Sequence, residues 1–410
     1  MKNQPVPGMK DLTDQASIYR SLENDFFRIL LSENFKEIRT PILESKSLFS
    51  RSVGDESDIV QKEMFETKTD EFVLRPENTA PIVRALLNNY KVPAKFAYFS
   101  PQFRKEQPQL GRLRQFYQYG FEMFGDSAPQ SEIEALLIVK KLYDTWGLKQ
   151  YEIEVNYLGN SQERANYLVA LRSYLNKNMD NLSDNSKKRL DRNVLRVLDS
   201  KELCDQEVIK NAPIILEYLL PESMEQWNKF LNIANSLSLD IKVNPRLVRG
   251  LDYYTGMVFE VSDTSGRLGS QKALGGGGRY DNLCKELGGQ DTPAFGFAGG
   301  VERLIIALDL KEVVPVKTKV SMVTTEPSLI PLFYKIKEKN PDVFVDILFD
   351  YNTKFKKMFK RADKNDFDFV IIMGQDELMN NKFKVKNLKT GQETDFLDLN
   401  SQMDLKLFLK

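Results

Sequence analysis

The sequence predicts an α+β protein in which antiparallel strands and amphipathic helices are interrupted by a helical insertion and followed by a small α/β domain. Three observations carry this. Short runs of alternating apolar and polar residues crowd residues 71–124 and return at 241–262, the spacing of antiparallel strands. Residues 160–240 are dominated by Leu, Lys, Asn and Asp, with apolar residues at helical intervals throughout. After Lys317, strand and helix patterns alternate, which signals an α/β unit with a partly parallel sheet. The predicted domains are 1–317, with the insertion at about 160–240, and 318–410.

Taken in order, residues 14–35 form an amphipathic helix, with Ile18, Leu22, Phe26, Ile29 and Leu30 at helical spacing and Thr13 or Asp14 as its cap. FKEIRTPIL, from Phe35 to Leu43, is a strand interrupted by Pro41. A strand proline belongs at an edge, a bulge or an interface, because it has no N–H to give. EFVLR, KFAYFS, QFRKE and RQFYQYGFEMFG are further strands, 131–146 is a helix, and YEIEVNY at 151–157 alternates strictly as another strand. Past the insertion, IKVNPRLV and MVFEVS read as strands. Nine of the 22 glycines then fall in residues 275–300, a density that suits backbone approaching a ligand or another strand closely. In the last domain VSMVTT, VFVDILF and FVIIMG are strands and SLIPLFYKIKEK and TKFKKMFKRADK helices; a hairpin around Lys389-Thr390-Gly391 and a short final helix complete it.

Composition narrows the function. Lys+Arg and Asp+Glu are both 58, so the chain is not a uniformly basic nucleic-acid coat, although a local basic face remains open. No apolar run approaches the ~18 residues of a membrane span, and MKNQPVPGMKDL has no apolar core of a secretory signal. Cys204 and Cys284 form neither a disulfide framework nor a zinc site, which points to a reducing, cytoplasmic compartment. The chain contains no histidine. That excludes Ser-His and Cys-His catalysis, HExxH metal sites and histidine switches. There is no GxxxxGK[ST] either, so phosphates are not held by the usual P-loop. Chemistry falls to carboxylates, Arg, Lys, Tyr or a bound metal.

Four stretches could carry it. In Phe103–Gly125, strand alternation puts Gln118, Gly120 and Glu122 on one face. Arg104, Arg112 and Arg114 lie on or beside the preceding strand and turn, and guanidinium forks suit phosphate oxygens. A solvated hairpin with ordinary charges fits the same residues. LVRGLDYY at 247–254 sets Arg249 and two tyrosines between strand signals; either tyrosine could equally be a core aromatic. GGGGRYD at 275–281 is hard to explain by packing alone, with a flexible turn as the alternative. GFAGGVER at 296–303 puts glycines before a helical pattern with Arg303 one turn in. That suits a nucleotide lying against the helix, or is a plain glycine-to-helix junction.

Together FRxE, the RQFxQxGxExFG strand, LVRGLDYY, GGRYD and GFAxGxER resemble the histidyl-tRNA synthetase family of class II aminoacyl-tRNA synthetases. PVPGMKDL, FKEIRTPILE with GDESDIVQKEMFE, LRPENTAPIVRA, RNVLRVLDSK and the C-terminal FKKMFKRADK and VIIMGQDE extend the similarity over nearly the whole chain. LVRGLDYY is particular to this branch of class II, whereas FRxE and GxER are shared more widely.

The resemblance implies a class II antiparallel sheet flanked by helices, a helical insertion and a C-terminal α/β anticodon-binding domain, in a homodimer whose interface uses the segment around Pro41. It implies a two-step reaction: histidine and ATP, with Mg²⁺, give histidyl-adenylate, and the 3′ end of tRNA(His) then accepts the histidine. By similarity Arg104 and Arg249 are catalytic, gripping the α-phosphate from opposite sides. Glu106, Arg112 and Arg303 hold the rest of ATP with Arg104. Glu77, Thr79 and Gln118 would contact the amino group of histidine and Glu122 and Tyr254 its imidazole, with Tyr253 and Tyr280 lining the pocket. The ligands of the metal are unknown. Fixed guanidiniums facing the charge of an attacked phosphorus are sound chemistry in any setting, and a site that hydrogen-bonds a polar group rejects analogues lacking it by roughly 10⁴ or more.

Three places depart from the family pattern: FRKEQPQ stands for FRHERPQ, so that Gln107 replaces an arginine linked to the tRNA acceptor end, Asn78 stands in the usual EGT, and Tyr117 in the usual QFHQ. Two non-charging readings are the alternatives: a regulatory paralogue serving ATP phosphoribosyltransferase, and a sensor of uncharged tRNA.

Overall fold

The structure is a computed structural model describing residues 4–13, 15–53, 59–69, 71–126, 128–251, 253–310, 318–340, 343–349, 355–397 and 405. It divides into two compact units, Met1–Val313 and Val314–Lys410. Lys317, the boundary expected from sequence, lies outside the described residues, as do Asp14 and all of the expected final helix except Leu405.

The strands of the first unit are β1 Lys36–Glu37, β2 Leu43–Ser45, β3 Phe65–Glu66, β4 Phe72–Leu74, β5 Ala94–Phe103, β6 Gln115–Phe124, β7 Tyr151–Tyr157, β8 Lys242–Val243, β9 Thr255–Asp263, β10 Ala273–Arg279 and β11 Ala294–Gly300. Its helices are α1 Ala16–Ser32, α2 Lys46–Val53, α3 Thr79–Asn89, α4 Gln130–Trp146, α5 Ser161–Lys177, α6 Asp184–Arg192, α7 Leu203–Ile209, α8 Pro221–Ser236, α9 Leu283–Glu286 and α10 Val301–Ala307. Eight strands form one sheet in the order β1-β5-β6-β11-β10-β9-β7-β8. All its pairs from β5 to β7 are antiparallel, and the short edge strands β1 and β8 pair in parallel. A small sheet, β2-β4-β3, stands beside it.

The alternation along β6 sorts its residues. Tyr119, Phe121 and Met123 enter one core with α1, α4, α8 and α10. The opposite face carries Gln118, Gly120 and Glu122 beside a second core, in which Phe96, Tyr98, Val258 and Tyr280 meet Tyr167, Leu171, Leu195 and Ile215. The region expected to be one helical insertion therefore splits. α8 packs Trp227, Phe230 and Ala234 behind the sheet, whereas residues 161–220 cover its front.

Local chemistry explains where elements stop. α1 begins after Gln15, which makes no side-chain capping bond, so Thr13 is not the cap. FKEIRTPIL contributes two short strands to two different sheets, with Pro41 between them. β5 ends at Phe103 rather than running through QFRKE, because the Lys105 N–H donates to the Glu63 carbonyl (2.6 Å). In IKVNPRLV only Lys242–Val243 is strand, since Pro245 has no N–H and Asn244 opens a turn that accepts from Leu247 N–H at 2.9 Å. The glycine tract is not a turn: Gly275, Gly276, Gly277 and Gly278 are strand β10, and Gly278 pairs with Gly296 across to β11.

The second unit has strands β12 Lys319–Thr324, β13 Phe344–Phe349, β14 Phe369–Met373, β15 Lys382–Asn387 and β16 Glu393–Leu397, with helices α11 Ile330–Lys339, α12 Phe355–Lys364 and α13 Gln375–Met379. The sheet order is β13-β12-β14-β15-β16; the first three are parallel and the last two add antiparallel. Val320, Met322, Phe333, Ile336 and Ile371 form its core. No described helix in either unit is long and apolar enough to cross a membrane.

Candidate active site

A cavity of about 380 Å³ opens on the front of the large sheet. Every residue given a role by resemblance lines it: Glu77, Thr79, Arg104, Glu106, Arg112, Gln118, Glu122, Arg249, Tyr253, Tyr254 and Arg303, together with Tyr280. Arg114 does not. Its guanidinium donates to the carbonyls of Glu106 and Pro7, both at 3.2 Å, and shapes the loop.

Glu122 lies at the deep end, buried on β6. Thr79 Oγ1 donates to its Oε1 at 2.7 Å, and the Tyr280 hydroxyl donates to its Oε2. Burial raises its pKa to about 8 against the pull of these two hydrogen bonds, and the Glu77 charge adds to the rise. The phenol partner of Glu122 is thus Tyr280; Tyr254 instead packs against Tyr253, ring centroids 4.7 Å apart. Gly120 leaves room for Tyr98, whose ring a Cβ there would meet at 2.5 Å, and not for a ligand.

Glu77 precedes α3 and accepts from the N–H groups of Thr79 (2.7 Å) and Ala80 (3.0 Å). These are unpaired donors of a helix start, which a carboxylate satisfies. Burial pushes the Glu77 carboxyl above its usual range, while those bonds and the charge of Arg104 oppose the shift.

Three guanidiniums share the other end. Arg104 donates to Pro76 O at 2.9 Å and lies over the Phe116 ring. Arg112 pairs with Glu106. Arg303, one turn into α10, donates to the carbonyls of Gly111 (3.2 Å) and Ala273 (2.7 Å) and pairs with no carboxylate among the described residues. Its pKa falls to about 10, through burial first and then the charges of Arg112 and Arg104. Cations that depress one another at a cavity mouth form a site for a polyanion.

Arg249 faces this group from the LVRGLDYY segment. It pairs with Glu260 on β9, and although burial disfavours its charge, Glu260 and the neighbouring Tyr254 and Asp199 hold its proton above the ordinary value. Gly276 pairs with Glu260 in register, and a Cβ at 276 would meet Arg249 Cζ at 2.5 Å; this glycine lets the guanidinium lie over the strand. Among the described residues, three buried polar atoms of the cavity wall have no hydrogen-bond partner: Glu106 Oε2, which is ion-paired to Arg112, and Gln118 Oε1 and Arg249 Nε. Buried polar atoms in that condition await a ligand or water.

Sequence reasoning missed Glu63, Arg196 and Asp199, all in the wall, and Glu260, which pairs with the wall residue Arg249. The signal for Glu260 was a lone charge inside the apolar MVFEVS. No local signal distinguishes the others. Arg279 of GGGGRYD is structural: it grips Glu132 of α4 through two bonds of 2.8 Å and Asp281 at 3.0 Å.

An antiparallel sheet carrying arginines on two sides of an anion cavity, with a separate α/β unit, is the architecture of a class II aminoacyl-tRNA synthetase. The family model "Histidyl-tRNA synthetase" matches residues 8–304 and "Anticodon binding domain" matches 313–404. The histidine--tRNA ligase of Thermosipho melanesiensis is 41% identical over 91% of each chain, and that of Fervidobacterium nodosum 39% identical over 96% of each. The crystal structure of apo Staphylococcus aureus histidyl-tRNA synthetase matches 100% of both chains at 30% identity with a TM-score of 0.76. The chain belongs to the histidyl-tRNA synthetase family, a family of aminoacyl-tRNA ligases.

Proposed function

We propose that this protein activates histidine with ATP and transfers it to the 3′ end of tRNA(His), with the residues of this cavity in the following roles. The histidine carboxylate attacks the α-phosphorus; the new P–O bond forms as the bond to pyrophosphate breaks. Arg104 and Arg249, approaching from different elements, stabilise the charge that builds on the α-phosphate oxygens. Arg303 and Arg112 hold the pyrophosphate side, and Glu106 orients Arg112 beside the adenine. Glu77, Thr79 and Gln118 receive the ammonium. Glu122, backed by Tyr280 and Thr79, reads the imidazole, with Tyr253 and Tyr254 closing the pocket. In the second step the terminal ribose hydroxyl attacks the acyl carbon and AMP leaves.

Mg²⁺ would supply charge neutralisation at the phosphates. A Mg²⁺ ion bound by one or two carboxylates plus substrate phosphates suits a cavity whose wall residue Arg249 is backed by the carboxylate of Glu260. Two free cysteines, one exposed and one buried, fit a reducing cytoplasm. The second unit would read the anticodon, with α12 and its Lys356, Lys357, Lys360 and Arg361 supplying local positive charge. Ile42, Leu43 and Phe72 are 43%, 49% and 43% exposed around the small sheet, an apolar surface that a second copy would cover. A mass measurement in solution at twice the chain mass checks the dimer; a monomer at working concentration overturns it.

The observation that carries the reading is the pairing of a buried, doubly hydrogen-bonded Glu122 with an arginine cluster in one cavity. The non-charging alternatives gain no support, since the family match spans both units. Histidine-dependent ATP–pyrophosphate exchange and charging of tRNA(His) test it. Histidine binding without exchange would refute it.

A further inference from the structure

Arg249 and Tyr254 sit on a stretch that follows β8 and, in its described residues 244–251 and 253–254, has no regular structure of its own before β9 begins. The Asn244 carbonyl accepts from Leu247 N–H, but without a ladder or a helix three further carbonyls of the stretch are held by side chains. Asn156 Nδ2 donates to Leu247 O at 2.9 Å. The other two anchors come from the helical cover over the cavity: Arg196 donates to Gly250 O, and Arg164 Nη1 donates to Tyr254 O at 2.9 Å. Arg196 occupies the short turn Val194–Val197, and its own carbonyl accepts from Arg189 of α6 at 3.0 Å. The stretch reaches back as well. Arg246 donates to the carbonyls of Ile209 (2.7 Å), Lys210 (2.5 Å) and Ala212 (3.2 Å) at the end of α7. The cover is therefore stitched to this segment at three points, one on each side of Arg249 and one at Tyr254.

We propose that Arg196 and Arg164 are positioning residues for the activation step: Arg196 sets the backbone that carries Arg249, and Arg164 sets the backbone that carries Tyr254. The inference rests on the roles proposed above for Arg249 and Tyr254. It makes the cover part of the activation site, even for the half-reaction that involves no tRNA. The two anchors act on different ligands, so their loss has different kinetic signatures. Displacing Arg249 weakens contact with the α-phosphate as charge develops and lowers kcat. Displacing Tyr254 loosens the histidine pocket and raises the histidine KM.

The test is ATP–pyrophosphate exchange by the full-length chain and its R196A, R196K, R164A and R249A variants, with thermal melts alongside. Hydrogen bonds made by charged donors are worth roughly tenfold or more in rate when a positioned group depends on them. R196A is expected to lose about tenfold or more in kcat with the histidine KM within about twofold. R196K, whose ammonium can still reach one carbonyl, is expected to recover part of that loss, and it keeps the test open if R196A fails to fold. R164A is expected to raise the histidine KM about fivefold or more with the smaller change in kcat. Normal kinetics in both alanine variants, or the same proportional change in kcat and KM in both, overturns the inference while R249A is inactive. An active R249A overturns the reading beneath it instead.

Discussion

Glu122 on β6 pairs in register with Gly296 on β11, and the space a Cβ at 296 would need is filled by the Glu122 carboxylate. One glycine on the neighbouring strand thus admits the acid that closes the pocket, and Tyr280 and Thr79 then fix both carboxylate oxygens.

Gly296→Ala should therefore damage histidine binding. The methyl group would displace the carboxylate, break one or both of its hydrogen bonds and leave buried donors unpaired, at a cost of about 1–3 kcal/mol each. Titration calorimetry should show histidine affinity reduced about tenfold or more. Wild-type affinity in a folded variant would contradict the packing described here.

The pH dependence of stability has a definite sign. Folding raises the Glu122 pKa from 4.5 to about 8 and that of Glu302 from 4.5 to about 7. Burial is the main cause in both; Glu302 ties α10 to the sheet by accepting from Tyr117 N–H at 2.9 Å. A raised carboxyl pKa means the folded state binds more protons, so its stabilising contribution is full below about pH 4.5 and is lost as pH rises through 7 to 8. With no histidine in the chain, no side chain with an unperturbed pKa titrates in that window, and Glu77, whose carboxyl burial also raises, acts in the same direction. The melting temperature of the ligand-free protein should fall between pH 5 and 8, and Glu122→Gln should flatten the curve. A melting temperature that climbs over this range, or an unchanged slope in the variant, would count against it.

Arg249→Ala should abolish most adenylate formation and leave the fold intact, because its partner Glu260 is partly solvated, at 24% exposure, and tolerates its loss. Removal of one fixed transition-state donor costs about 10²–10³ in rate. Pyrophosphate exchange within a few-fold of wild type would sink the assignment.

The charges of Arg112 and Arg104 oppose that of Arg303. A polyanion should relieve this. Pyrophosphate or ATP at about 100 times its Kd should stabilise the fold by roughly 2.7 kcal/mol, seen as a higher melting temperature. Arg303→Ala should lose most of that gain, and an undiminished gain would place the anion elsewhere.

Removing residues 318–410 should impair tRNA charging more than histidine activation, given the separate compact units. Charging and exchange assays on a dimeric truncation decide this. An equal loss of both activities would argue against a separate anticodon-reading role.

The sequence by itself determined a good deal. Alternation in RQFYQYGFEMFG placed Gln118 and Glu122 on one face and Phe121 on the other, because side-chain direction in a strand follows from period alone. YEIEVNY and the alternating elements of the second unit were legible for the same reason. The absence of histidine excluded whole chemistries before any fold was known. Tertiary structure decided what local pattern cannot contain. That Tyr280 and not Tyr254 meets Glu122, that Glu260 holds Arg249, that GGGG is a strand, and that α8 packs behind the sheet while residues 161–220 cover its front all depend on groups far apart in the chain. A contact between residues 122 and 280, or between Arg196 and Gly250, exists only once the sheet order and the cover are in place. Periodicity is a property of neighbours in sequence; a partner is a property of neighbours in space.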